Sequence, residues 1–213
     1  MAPPIIHGPA ISTYVRTTRL VCEEKAAEYQ LVEVDIMQGG NKTPEHLARH
    51  PFGRVPAFEH DGFTLYETSA ITRYLDAVLP GPALTPSDAK GAARMQQAIA
   101  VVDSYAYGAM ISAIVIQRVV MPMVGGVTDE TIIAAALPTA EVSLRAFEDL
   151  LAGHAYLAGD ALSLADLHLA PVMAYFSGTP EGQARLPTYP NLARWWAAVS
   201  ARPTMARTQP QLG

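Results

Sequence analysis

The chain is poor in cysteine, in basic charge and in long apolar runs, and each shortage closes off a class of function. A single cysteine, Cys22, among 213 residues excludes a disulfide framework, a Cys-x-x-Cys redox pair and any cysteine-based zinc site. A formal net charge of −5 leaves no basic stripe to neutralise phosphates, so no nucleic-acid partner is expected. The longest apolar runs, near residues 109–116 and 131–137, fall short of the roughly 20 residues that span a bilayer. Met1-Ala2-Pro3-Pro4 lacks a basic segment followed by an apolar one, so no secretory signal is read and a soluble cytoplasmic protein is expected. The six histidines offer one helical i, i+4 pair, His46 and His50. Pro51 follows that pair and no carboxylate or cysteine supports it, so no metal is expected. What the chain does have is 50% hydrophobic residues, ample for one or two small packed domains.

The first part alternates strand and helix patterns. Ile5-Ile6-His7 reads as a strand ended by Gly8-Pro9. Residues 14–26 place Val15, Leu20, Val21 and Cys22 among charged residues at helical spacing, and residues 29–34 alternate as a strand. Gly39-Gly40 breaks the chain, and residues 44–49 allow one or two helical turns. Val55-Pro56 then enters a short apolar run, Asp61-Gly62 signals a hairpin, and Phe63–Leu65 forms the returning strand. A helix begins at Thr68, with Ile71, Tyr74, Leu75 and Val78 on its apolar side. This order, β-α-β followed by β-β-α, predicts a thioredoxin-like domain over residues 1–79, with helices covering a mixed sheet.

Prolines and glycines at Pro80-Gly81-Pro82 and Leu84-Thr85-Pro86 mark a linker. Helical patterns follow at 88–120, 129–151, 163–177 and 190–201, which predicts an all-helical domain over residues 88–213. The fold class is therefore α/β followed by all-α. Ser163-Leu164-Ala165-Asp166 is a capping box, with Leu162 placed to staple onto Leu167, and is read as structural.

Glu67 and Thr68 carry the first chemical signal. A helix N-terminus with unsatisfied backbone N–H groups and a Thr hydroxyl receives a carboxylate, and an adjacent Glu accepts from an ammonium. One amino-acid head group would satisfy both, which points to a peptide-like ligand such as glutathione.

The combination of Gly8-Pro9-Ala10-Ile11-Ser12 with Arg16, of His50-Pro51-Phe52-Gly53-Arg54-Val55-Pro56-Ala57-Phe58, and of Glu67-Thr68 resembles the glutathione S-transferases over essentially the whole chain. Among them the phi-like serine enzymes are the most similar. The resemblance implies that Ser12 contacts the glutathione sulfur and that Lys42 and Asn41 approach the glycyl carboxylate. It implies further that the Val55 backbone pairs with the cysteinyl part, beside a cis Pro56, and that Glu67 and Thr68 hold the γ-glutamyl head group. Phe52 matches an aromatic that inserts into a partner subunit, so a homodimer is implied. Two positions depart from the pattern: Asn41 stands where it commonly has His, and Arg54 where it has Gln, and Arg54, able to hold a carboxylate more strongly, is counted with the glutathione-binding residues.

Glutathione as co-substrate needs a thiolate, because a free thiol titrates near ~8.5 and the anion is the nucleophile. A hydroxyl at a helix N-terminus that donates to sulfur favours that anion. Ser12 sits where such a donor belongs, with Thr13 and Tyr14 as alternative hydroxyls. Cys22, on the apolar side of its helix, reads as a buried, inert thiol. Tyr105, Tyr107 and Met110 on the long helix are the candidates for an apolar pocket that takes a small electrophilic substrate. The expected activity is transfer of the glutathione thiolate to that electrophile, in detoxification. A glutathione-dependent isomerase, dehalogenase or ether-cleaving enzyme would use the same thiol site, and a non-catalytic module built on the fold is the remaining alternative.

Overall fold

Four short strands form the sheet of the first compact unit, in the order β2-β1-β3-β4, in a computed structural model that describes residues 2–210. β1 (Ile5–His7) runs parallel to β2 (Gln30–Val32) and antiparallel to β3 (Ala57–His60), and β3 runs antiparallel to β4 (Phe63–Tyr66). The parallel pair needs a crossover, which α1 (Thr13–Glu24) supplies. Between β2 and β3 the chain forms α2 (Pro44–Arg49). The hairpin pairs His60 with Phe63, so Asp61-Gly62 is its whole loop. Both loop residues have positive φ, +47° and +79°, the conformation that Asp-Gly tolerates and that matches strand twist. β2 is shorter than the expected 29–34 because only three of its residues face β1.

α1 and α3 (Thr68–Val78) pack against each other. Val15, Leu20, Val21, Cys22, Ile71 and Leu75 are fully buried, as are Ile6 and Phe58 of the sheet. At the edge of this core Lys25 Nζ meets Asp76 Oδ1 at 2.7 Å, with side chains only 2% and 5% exposed. Burial alone would raise the Asp76 carboxyl, but hydrogen bonds from Lys25, Thr85 and Leu84 outweigh it and hold the group below its ordinary value. The proline-rich stretch after α3 is thereby tied down rather than loose.

The second unit runs Pro86–Ser200, and from Ala201 the chain belongs to the first unit. There α9 (Pro203–Arg207) packs on α1. Arg16 donates to the Met205 carbonyl at 2.9 Å and Arg19 to that of Thr208 at 3.2 Å, each 189 positions away. These guanidiniums sit where a short helix leaves its last carbonyls unpaired. Arg202 and Thr204 in turn donate to Glu24. The boundary 88–213 read from sequence does not register this return, because a five-residue helix held by polar contacts has no apolar period to detect.

Within the second unit, α4 spans Ala89–Met123. Its middle, Val102–Val120, is wound so that backbone bonds run i→i+5, as from Met121 N–H to Ile116 O. The helix is long and apolar enough to cross a membrane by length and composition. Its apolar positions Met95, Ala98, Ile99, Val102, Ala106, Met110 and Ile114 are buried, and α5 (Glu130–Leu150) and α6 (Leu164–Phe176) pack along it. Its composition is thus that of a core helix, longer than the isolated apolar runs suggested. α7 (Pro180–Arg185) and α8 (Pro190–Ser200) complete the unit.

The expected capping box is present at the start of α6. Asp166 is fully buried and accepts from the backbone N–H groups of Leu157 and Ser163, the Ser163 hydroxyl and Trp195 Nε1, at 2.8–2.9 Å. Burial pushes its carboxyl up while these donors pull against it. Four donors on one buried carboxylate give a structural role a complete account.

Candidate active site

The sheet register brings the sequence-predicted residues together. His7, Ala57 and Tyr66 lie side by side at one end of three neighbouring strands, about 5 Å apart from strand to strand. The turn holding Ser12 follows His7, Val55-Pro56 precedes Ala57, and Glu67-Thr68 follows Tyr66. Gly8 shows how tightly the first two meet: a β-carbon there would lie 2.5 Å from Val15 Cγ2 and 3.0 Å from Val55 Cβ. Glycine at this position is what allows the start of α1 to sit against Val55. The Val55–Pro56 bond is cis.

Ser12 is the N-cap of α1, and its Oγ accepts from Val15 N–H at 3.4 Å. That contact uses a lone pair and leaves the hydroxyl proton to be donated elsewhere. The helix dipole at the same position favours a negative charge. Thr13 is buried and Tyr14 half-buried on the following turn.

Glu67 has φ +70° and is the N-cap of α3 without a side-chain cap bond. A non-glycine residue held there costs on the order of 1–3 kcal/mol, and such strain collects where backbone must face a ligand. The Glu67 side chain does not cap the first turn of α3, so the N–H groups there form an anion site beside the Thr68 hydroxyl. Glu67 is exposed and Thr68 is 7% exposed.

Lys42 is exposed, in the turn Gly40–Lys42, and Arg54 is exposed after Gly53. The Asn41 side chain donates Nδ2 to the Gly53 carbonyl at 2.7 Å. His46 and His50 stack with centroids 6.4 Å apart, and His46 Nε2 is spent on the Arg54 carbonyl. Burial lowers the His50 pKa, keeping that ring neutral.

Of the residues read as an apolar pocket on α4, Met110 is fully buried in the helical core and offers no surface to a ligand. Tyr105 is 59% exposed and Tyr107 half-buried. The first unit contains a cavity of about 610 Å³ whose lining mixes apolar Pro9, Ile11, Ile36 and Met37 with charged Arg19, Glu33, Asp35 and Arg207 and does not include Ser12. Residues 33–37 carry no motif that marks them from sequence; they reach the cavity because β2 ends beside β1. Phe52 is 65% exposed, edge-on to Tyr66 at 6.1 Å and to His50 at 6.3 Å. Cys22 is buried, and burial pushes its thiol up to about 12, which removes it from thiolate chemistry.

Residues 10–77 match the family model of the glutathione S-transferase N-terminal domain, and residues 107–203 that of the C-terminal domain. The chain is 34% identical to a probable glutathione S-transferase GSTF1 of Oryza sativa subsp. japonica, over 97% of this chain and 95% of that protein. Glutathione transferase F7 of Populus trichocarpa superposes with a TM-score of 0.85 at 33% identity, covering 96% of this chain and 97% of that one. Glutathione S-transferase I from maize, in complex with an atrazine glutathione conjugate, superposes with a TM-score of 0.85 at 31% identity, covering 97% and 96%. With both domain models matched in order and relatives aligned over nearly their whole length, the chain belongs to the glutathione S-transferase family and is similar to its plant phi-type members.

Proposed function

We propose that this enzyme activates glutathione with Ser12 and transfers its sulfur to an apolar electrophile. The observation that carries the reading is the shared sheet end: a serine N-cap with a proton to donate, a cis Val55–Pro56 and the uncapped start of α3 at Glu67-Thr68. The γ-glutamyl carboxylate meets the N–H groups and hydroxyl at Thr68, and its ammonium meets Glu67. The Val55 backbone takes the cysteinyl part and Lys42 the glycyl carboxylate. The sulfur then lies over Ser12, where a hydroxyl donor and the α1 dipole both favour the anion.

The assembly is a homodimer in this reading, supported by the exposed Phe52 and Tyr66, an aromatic pair of the kind that seeks a partner pocket. The work is done in the cytoplasm, where the glutathione pool is kept reduced, and serves detoxification of electrophiles. Retention on immobilised glutathione, followed by a chromogenic conjugation assay over a panel of electrophiles with and without glutathione, tests it. Retention without turnover on any electrophile would favour a binding module, and absence of retention would overturn the glutathione assignment itself.

A further inference from the structure

Two consecutive carbonyls lead into Val55, and side chains from the preceding segment hold both. Asn41 Nδ2 donates to Gly53 O and His46 Nε2 donates to Arg54 O, each at 2.7 Å. A carbonyl only accepts, so the His46 ring carries its proton on Nε2. His46 is 4% exposed on α2. The packing around these bonds is tight. Gly53 has φ +59°, and a β-carbon there would lie 2.8 Å from Lys42 Nζ and 2.9 Å from Asn41 O. Gly53 N–H is itself spent on the His50 carbonyl at 2.8 Å. The turn that carries Lys42 and the strand entry that carries Val55 therefore move as one piece, with Asn41 and His46 as the pins.

We propose that Asn41 and His46 are positioning residues for glutathione, holding the Gly53–Arg54 backbone so that Val55 faces the tripeptide with Lys42 in register beside it. The proposal rests on the reading of Val55 as the backbone partner of glutathione. His46 acts through the backbone, because its ring is buried and its Nε2 is already committed. Asn41, which resemblance assigns to the glycyl carboxylate, spends an amide N–H on Gly53 instead. Without the pins the loop must be ordered by the ligand, which weakens binding without altering the thiol chemistry.

The test measures kcat and KM for glutathione in His46→Leu, His46→Gln and Asn41→Ala, and repeats them with γ-glutamylcysteine, which lacks the glycine. Losing one such bond raises KM about three- to tenfold, with kcat within about twofold of wild type. His46→Gln keeps an N–H donor at similar reach and recovers most of the loss. The Asn41→Ala penalty persists with γ-glutamylcysteine, because Val55 still engages the cysteinyl part. An unmoved KM in His46→Leu, or a loss that His46→Gln does not recover, overturns the role of His46. An Asn41→Ala penalty seen with glutathione but not with γ-glutamylcysteine makes Asn41 a carboxylate ligand and overturns its role as a pin. Should His46→Leu fail to fold, Asn41→Ala in its half-buried loop still decides. A wild-type enzyme that does not saturate with glutathione overturns the underlying reading and this proposal with it, whereas a saturating wild type with unmoved variants overturns only the positioning.

Discussion

Replacing Ser12 by alanine separates two roles of one hydroxyl. As an N-cap, Ser12 Oγ accepts from Val15 N–H at 3.4 Å, longer than an ordinary N–H···O bond. The stability lost with it therefore lies at the low end of cap energies, about 0.5 kcal/mol. As a donor to the glutathione anion the same hydroxyl contributes more, since a hydrogen bond to a charged group is worth about 1.5–3 kcal/mol, or one to two pKa units. Removing it raises the pKa of the bound thiol toward the free value of ~8.5. The sign follows directly: the thiolate fraction falls most below the wild-type pKa, so turnover drops about ten- to hundredfold at low pH, and the deficit closes as pH rises past ~8.5. Glutathione binding changes little because Glu67, Thr68 and Lys42 are intact. The assay is the pH profile of kcat with a chromogenic electrophile at saturating glutathione, set beside thermal unfolding of the same variant. A Ser12→Ala enzyme with full activity and an unshifted profile, alongside a Tyr14→Phe enzyme that loses both, would refute the reasoning and make Tyr14 the donor.

Five other outcomes are expected. Lys25→Met leaves the buried Asp76 carboxylate with only the more distant Arg73 guanidinium, at 3.9 Å, as a cation and should cost up to about 3 kcal/mol, read by urea unfolding. Because the Asp76 carboxyl is held below its ordinary value in the fold, wild-type stability from this pair is present above the unfolded pKa of ~3.9 and is lost as pH falls through the depressed value; Asp76→Asn should flatten that acid limb. Phe52→Ala truncates an aromatic that is 65% exposed in the single chain and should weaken dimerisation by about 2 kcal/mol or more, and a wild-type monomer at micromolar concentration in sedimentation would end that reading. Glu67→Ala and Thr68→Ala should each raise KM for glutathione, and Arg54→Ala, whose side chain is exposed, should change it less than Lys42→Ala. With its thiol pushed up to about 12 by burial, Cys22 should resist thiol reagents at pH 8 in the folded protein and react fully in denaturant.

Elements with strong local signals are legible in the amino-acid sequence. Asp61-Gly62 marks its hairpin because both residues must take positive φ, and Ser163 with Asp166 marks the start of α6 because the capping bonds are local. Elements without such signals are not. α7 and α9 are too short for a period, and the pins on the Gly53 and Arg54 carbonyls involve an Asn and a His whose partners are backbone atoms 12 and 8 residues on. Met110 misleads for the opposite reason: its period is plain, but a period does not say whether an apolar face meets core or ligand.

By itself the sequence determined the alternation of elements, the linker, the turn chemistry and the residue types suited to an amino-acid head group and a thiolate, since all of these depend on neighbours within a few positions. Tertiary structure decided what depends on strands meeting side by side. The β1-β3-β4 order places Ser12, Val55 and Glu67 at one sheet end, Gly8 lets α1 close on Val55, and Arg16 and Arg19 draw the last helix back onto α1. Such contacts join residues tens to hundreds of positions apart, and their distance and angle exist only once the backbone has closed.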